Sequence, residues 1–400
     1  MKRKIIFDMI LNIAATAVPI VLIQLLIYPA VAEKLGNAEY GLMITMVSLF
    51  NLIGHPYGNV LNNIRLLQNN EYIENDVEGD FNILLIVGLV VNTIIMIVGT
   101  VYYEGSFSYA SILLSIIVSA LNLGREYLIV AFRISLNYKA ILLNNIFLMI
   151  GYFAGFLIFN IIGYWQLIYL CGYLVSLIYI IKNSNLINEK YAVTRLFKST
   201  TYKSAVLFFS TFLKSFVTYA DKLIIYPLLG PAAVSVYYSS TILGKIISMG
   251  ITPISSVFLS YLPNIKEINL RNFLKILSFA GVVGIVGYYV CIVVSKPLLL
   301  LLYPDWAIES LELVNITTAT AIIGAVCSVI NPIILRFNNV NWQMVLSVTE
   351  IVVYIIFTIL FYNLYGLKGF CIGILMTYVL KLLLMIGVYV SNLKIKNTYI

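Results

Sequence analysis

Residues 163–203 read GYWQLIYLCGYLVSLIYII and then KNSNLINEKYAVTRLFKSTTYK. The first part carries no charge and is long enough to cross a bilayer, which takes roughly 20 apolar residues. The second holds Lys182, Lys190, Arg195, Lys198 and Lys203 against one acid, Glu189. An apolar block followed by a basic gap is the pattern of a membrane protein. Working outward from this stretch, the pattern recurs through the whole chain.

The chain has 400 residues, 61% hydrophobic and 10% charged. In lipid only helices or closed barrels satisfy their own backbone. Barrel strands would alternate every second residue over ~10-residue segments, whereas these blocks are continuously apolar. The expected fold is therefore all-α and polytopic, with spans near 5–30, 38–64, 81–102, 107–132, 140–160, 163–181, 205–229, 232–262, 273–295, 310–335, 343–362 and 366–390. Lys2, Arg3 and Lys4 precede an apolar run too long for a signal peptide and lacking a small-residue cleavage site, so it reads as an uncleaved first span.

Of the 25 basic residues, Lys34, Lys296 and Lys368 fall in one set of gaps, and Arg125, Lys214, Lys222, Lys245 and Lys381 fall within spans. The other seventeen lie at the termini and in the alternate gaps. Basic residues stay on the cytoplasmic side, so both termini and the 182–203 connection are expected there. The acidic segment 65–80 dissents, but acids contribute little to this rule. The net charge of +8 thus reflects orientation and gives no reason to expect nucleic acid as a partner. Cys171, Cys291, Cys327 and Cys371 all fall within spans without a CxxC pair. They read as buried thiols, and no metal or other cofactor is expected.

The 182–203 linker separates six spans from six, giving an N-terminal lobe 1–182 and a C-terminal lobe 204–400 around an expected central cavity. The halves echo each other: Ile27-Tyr28-Pro29 with Leu35-Gly36-Asn37-Ala38, and Ile225-Tyr226-Pro227 with Leu229-Gly230-Pro231-Ala232. Parallel repeats related by an axis along the membrane normal are a known transporter plan. The longest external connection is expected at 296–309, and no loop reads as long enough to fold alone.

Several spans carry polar residues at helical spacing. Span 2 has Ser48, Asn51, His55, Asn59 and Asn62; span 4 has Ser115, Ser119, Asn122 and Glu126; span 7 has Ser210, Lys214, Thr218 and Asp221. Span 1 has Asp8, Asn12 and Thr16; span 8 has Thr241, Lys245, Ser248, Thr252 and Ser255; span 11 has Gln343, Ser347, Glu350 and Tyr354. Spans 3, 6 and 12 are sparse, and span 9 has almost none. Single hydroxyls and amides can simply join helices by hydrogen bonds. Charges are harder to keep: one at mid-membrane costs ~2.5–3.5 kcal/mol even on the mild insertion scale.

Lys214, Asp221, Lys222, Lys245, Arg125, Asn51, His55 and Asn59 are accordingly the candidate cavity residues, and Glu126, Asp221 and Glu350 the candidate ion-coupling carboxylates. His55 has no carboxylate near it in sequence and reads as a satisfied core or cavity histidine, with proton coupling as the other reading. Arg125-Glu126 reads either as a structural pair or as a substrate site. Lys381 is expected to snorkel toward the interface. Walker A, HExxH and GxSxG motifs are absent, and no enzyme is expected.

Three stretches resemble the polysaccharide exporters and O-antigen flippases (Wzx-type) of the multidrug/oligosaccharidyl-lipid/polysaccharide (MOP) superfamily. They are Leu35-Gly36-Asn37-Ala38-Glu39-Tyr40-Gly41; Asp221-Lys222-Leu223-Ile224-Ile225 through Leu229-Gly230; and Lys296-Pro297-Leu298-Leu299 through Asp305-Trp306. The third departs from the family pattern, with Pro304-Asp305-Trp306 where Gly and Tyr are usual. The resemblance implies a flippase carrying undecaprenyl-diphosphate-linked oligosaccharide across a bacterial inner membrane for O-antigen, lipopolysaccharide or related polysaccharide synthesis. The in-span carboxylates, with no ATP motif, make proton or sodium coupling the expected drive, and a glycan polymerase is the expected membrane partner. A small-molecule or drug antiporter of the same fold remains open, as does a glycan polymerase or ligase.

Overall fold

A computed structural model describes residues 19–105, 108–247, 268–338 and 341–398. Asp8, Asn12, Thr16, Ser248, Thr252 and Ser255 lie outside the described residues. The described chain is helical: α1 (Tyr28–Glu74), α2 (Asp80–Glu104), α3 (Tyr109–Leu128), α4 (Val130–Ile134), α5 (Tyr138–Ile162), α6 (Gln166–Lys182), α7 (Phe197–Leu229), α8 (Pro231–Ser240), α9 (Leu270–Leu302), α10 (Ala307–Phe337) and α11 (Asn341–Thr398). Among the described residues, seven helical runs are long and apolar enough to cross a membrane, and two of them are broken inside. Gly36 interrupts α1, and Tyr365 with Gly366 interrupts α11. Those breaks fall where the hydropathy pattern divides span 1 from 2 and span 11 from 12.

Gly36 has φ 74° and ψ 176°, and Gly230, between α7 and α8, has φ 83° and ψ 173°. This region is essentially restricted to glycine. The two halves of the Leu-Gly echo therefore share an uncommon backbone geometry as well as letters.

The helices form two compact units, residues 1–231 and 232–400. In the first, α5 packs along α6, and α7 along α1. α7 follows the linker in sequence yet belongs to the first unit by packing. α5 and α6 meet closely because Gly151 and Gly155 stand against the backbone of Cys171, Gly172, Leu167 and Ile168, a small-residue contact of the membrane type. In the second unit Phe273, Val326, Ile330, Ile333, Leu346, Met385 and Tyr389 share a core. The most apolar stretch of α9 buries none of its residues, which suits the span with almost no polar stripe.

Two connections are shorter than the sequence predicts. α1 continues through 65–74 because Arg65, Gln68 and Tyr72 repeat at helical spacing and point inward. α9 continues through Lys296 and Pro297 to Leu302, so the expected 296–309 loop shrinks to Tyr303 and a 3₁₀ turn, Pro304–Trp306.

The connection 183–196 is tied down on the first unit. Arg65 Nη2 meets Glu189 Oε1 at 2.5 Å, and the guanidinium lies 5.5 and 5.0 Å from the ring centres of Tyr72 and Phe81. Burial pushes the Glu189 carboxyl above its ordinary range, and the Arg65 guanidinium opposes that push. Asp80 accepts the backbone N–H of Thr194 at 2.7 Å, its hydroxyl at 2.5 Å and the Tyr72 hydroxyl at 2.7 Å. Tyr72 also bonds Thr200 on α7 at 2.8 Å. At the opposite end of α7, Tyr226 donates to the Tyr103 carbonyl at 2.7 Å, and Tyr103 to the Leu223 carbonyl at 3.0 Å. α7 is thus fastened to the first unit at both ends.

Candidate functional site

The polar stripes of α1 and α3 face each other in the first unit. Asn122 donates to Asn51 at 3.4 Å, and Ser119 to Asn92 of α2 at 2.9 Å. One turn along α1, His55 Nδ1 lies 3.4 Å from Glu126 Oε2. The other oxygen of Glu126 accepts Arg125 Nη1 at 2.5 Å. Arg125 also donates to Ser176 of α6 and to Asn145 of α5, both at 3.0 Å, and Ser176 donates to Asn144 at 2.8 Å. Asn59 accepts from Asn63 at 2.6 Å, while Arg133 donates to Asn63 at 2.9 Å and to Asn62. Gly58 permits this approach: a Cβ there would stand 2.6 Å from the Leu123 carbonyl and 2.8 Å from Glu126 Cβ.

The structure therefore joins Asn51, His55, Arg125 and Glu126 in one seam, with Asn59 one turn further on. His55 does have a carboxylate, 71 positions later on another helix. The imidazole side chain is 42% exposed and Glu126 17%, so the pair sits where the seam meets open space. The seam also uses residues that stripe analysis did not single out: Asn92, Asn144, Asn145 and Ser176. Their signal was an amide or hydroxyl outside any stripe in a mostly apolar helix.

The remaining candidates are placed differently. Asp221 and Lys222 are buried and pair with each other, Lys222 Nζ lying 2.6 and 2.7 Å from the two carboxylate oxygens and 3.0 Å from the Thr218 carbonyl. Neighbours in sequence do not share a helix face, so the lysine chain curls back to reach its partner. Lys214, two turns earlier, is exposed. In the second unit Lys245 Nζ lies 3.1 Å from the centre of the Tyr238 ring, a cation–π contact.

Lys381 corrects the snorkelling expectation: its Nζ lies 2.7 Å from Glu350 across the two halves of α11. A partnered ammonium inside the unit costs less than one left in hydrocarbon. Cys291, Cys327 and Cys371 are buried, whereas Cys171 is only half-buried, because it borders the α5 contact.

Each acid away from the span ends among the described residues is thus met by a base: Glu126 by Arg125, Asp221 by Lys222, and Glu350 by Lys381. Lys214 and Lys245 are two further lysines away from the span ends, so among the described residues there the bases outnumber the acids.

Solved structures match this architecture along nearly its whole length. One is an inward-facing multidrug resistance MATE family transporter of the MOP superfamily, with TM-score 0.69, 12% identity, and 97% of this chain and 99% of that one covered. Another is the lipid II flippase MurJ in an inward closed conformation, with TM-score 0.66, 13% identity, and 95% and 85% covered. The chain has the fold of these transporters. It is an all-α, multi-span membrane protein. A third match, a MOP superfamily transporter from Pyrococcus furiosus described for the reversed polarity of its binding pocket, gives TM-score 0.57 at 11% identity, with 95% and 92% covered. No family model and no curated protein matches the sequence.

Proposed function

We propose that this chain flips undecaprenyl-diphosphate-linked oligosaccharide from the cytoplasmic to the outer leaflet of a bacterial inner membrane. The polyprenyl tail stays in lipid while the hydrated sugar diphosphate crosses along a polar path. The observation that carries this reading is the excess of bases over acids among the described residues away from the span ends. There Arg125, Lys222 and Lys381 meet Glu126, Asp221 and Glu350, and the exposed Lys214 adds positive charge beyond them. A diphosphate is matched by ammonium and guanidinium groups. An antiporter for cationic drugs needs the opposite balance, which makes it the second reading. Hydroxyls and amides such as Asn51 and Asn59 then stand in for water around the sugar.

Both termini and the 183–196 connection face the cytoplasm in this reading. Glu126, Asp221 and Glu350 are the carboxylates positioned for ion coupling, each already in contact with a base that can exchange partners. A membrane glycan polymerase receives the product.

The test is depletion of the protein in its own host. Lipid-linked glycan should accumulate unexported, and Lys214→Ala or Lys245→Ala should lower export at unchanged protein abundance. Drug sensitivity with normal glycan export would defeat the flippase reading in favour of the antiporter. In vesicles, collapsing proton and sodium gradients should slow flipping; unchanged initial rates would remove the coupling role from the three carboxylates.

A further inference from the structure

A cleft of about 830 Å³ opens in the first unit between α4, the start of α5, the end of α6 and the connection 183–196. Its lining is unlike the spans. Five asparagines converge on it, namely Asn69, Asn137, Asn183, Asn185 and Asn188, together with two serines, two glutamates and the aromatic rings of Tyr179 and Phe132. No lysine or arginine lines it among the described residues.

Asparagine and serine are common turn formers, and part of the set has that role. Asn137 caps α5 by accepting the Ala140 N–H at 3.1 Å, and Asn183 donates to the Tyr179 carbonyl at 2.8 Å. Each of those bonds engages only one end of the amide. Asn185 and Asn188 close a backbone turn at 3.0 Å, but the side-chain amides of Asn69, Asn185 and Asn188 make no hydrogen bond to another described residue. The Tyr179 ring is braced by Phe132 at 5.8 Å and Phe147 at 5.0 Å.

This chemistry selects a ligand class. A primary amide offers a donor and an acceptor side by side, which suits adjacent sugar hydroxyls. The two carboxylates, Glu189 paired with Arg65 and Glu78 4.0 Å from Lys190, can still accept from sugar hydroxyls. A braced aromatic ring offers a flat apolar surface to the C–H face of a pyranose. With no lysine or arginine among the lining residues, a phosphate finds no basic side chain in the lining itself. Exposed Lys139 and Lys182 lie next to its lining residues in the chain, at the ends of α5 and α6, where spans meet water.

We propose that this cleft is a separate docking site for the neutral oligosaccharide of a lipid-linked substrate, with Lys139 and Lys182 at the membrane border for the diphosphate. The proposal rests on the flippase reading, and it adds a place where the glycan is held before it enters the spans.

The test uses the full-length protein in its own host. p-Benzoylphenylalanine replaces Asn188 in one variant and the exposed Tyr202 of α7 in a control. Irradiation should give glycan-bearing adducts at least tenfold more abundant at position 188. Adduct mass separates the sources, because lipid-linked glycan carries the prenyl diphosphate and free glycan does not. In a second arm, Asn69→Ala with Asn185→Ala should cut the adduct at 188 at least fivefold without lowering protein abundance. Adducts at 188 no stronger than at 202, or adducts made only of protein, overturn the proposal. If depletion still abolishes export while 188 gives background adducts, only the cleft is refuted. If depletion leaves export intact, the flippase reading falls.

Discussion

Removing the Glu126 carboxylate tests the charge pairing most directly. Arg125 would keep Ser176 and Asn145, both neutral acceptors at 3.0 Å. Its guanidinium, on a side chain only 10% exposed, would lose its negative partner. Breaking a buried pair from one side costs about 3–5 kcal/mol, whereas a neutral interhelical hydrogen bond in a membrane averages about 0.6 kcal/mol. The two surviving acceptors, and a His55 side chain that is 42% exposed and admits water, place Glu126→Ala near the lower bound, about 3 kcal/mol. Arg125→Met combined with Glu126→Leu removes both charges and should lose less than half as much, since replacing a buried pair by apolar groups is often neutral. Reversible unfolding in mixed micelles, followed by tryptophan fluorescence, measures both. A loss below about 1 kcal/mol for the single variant, a value typical of neutral membrane hydrogen bonds, would refute the pairing. So would a double variant less stable than the single one.

Gly36→Ala should cost about 1–3 kcal/mol through its backbone conformation alone, because a Cβ there meets nothing within 4 Å; a thermal melt unchanged by the substitution would contradict the geometry at the break. Lys381→Met should destabilise the protein and Glu350→Lys with Lys381→Glu should restore most of the loss, read by the same unfolding assay; equal losses for both would deny the ion pair. A cysteine placed at Asn188 should resist a membrane-impermeant maleimide added outside intact cells while one at Asn37 reacts, and the reverse pattern would invert the proposed topology.

The span pattern was legible because the bilayer acts on every residue alike: twenty apolar residues in a row have few alternatives to a helix. The breaks at Gly36 and Gly366 were legible for the same reason. Partners were not. His55 reads as isolated until α3 is laid against α1, and Lys381 reads as a snorkelling chain until the break in α11 brings Glu350 back to it. Such pairs depend on the rotation of one helix against another, which side-chain packing decides and hydropathy does not record. Asp221-Lys222 is the exception, since its two members are adjacent. The sparse spans misled for a related reason: Asn92 and Ser176 form no stripe, yet each stands opposite one.

The packing of α7 on α1 has a consequence for synthesis. α1 is complete at Glu74 and α7 begins only at Phe197, an interval of roughly 6–25 s at translation rates of ~5–20 residues per second. Throughout that interval Tyr57 and Tyr72, which will meet Phe208 and Thr200, lack their α7 neighbours. A ribosome stalled before residue 197 would leave a helix bundle with one open flank in the bilayer. That flank marks where an insertase or a membrane quality-control protease would find the nascent chain.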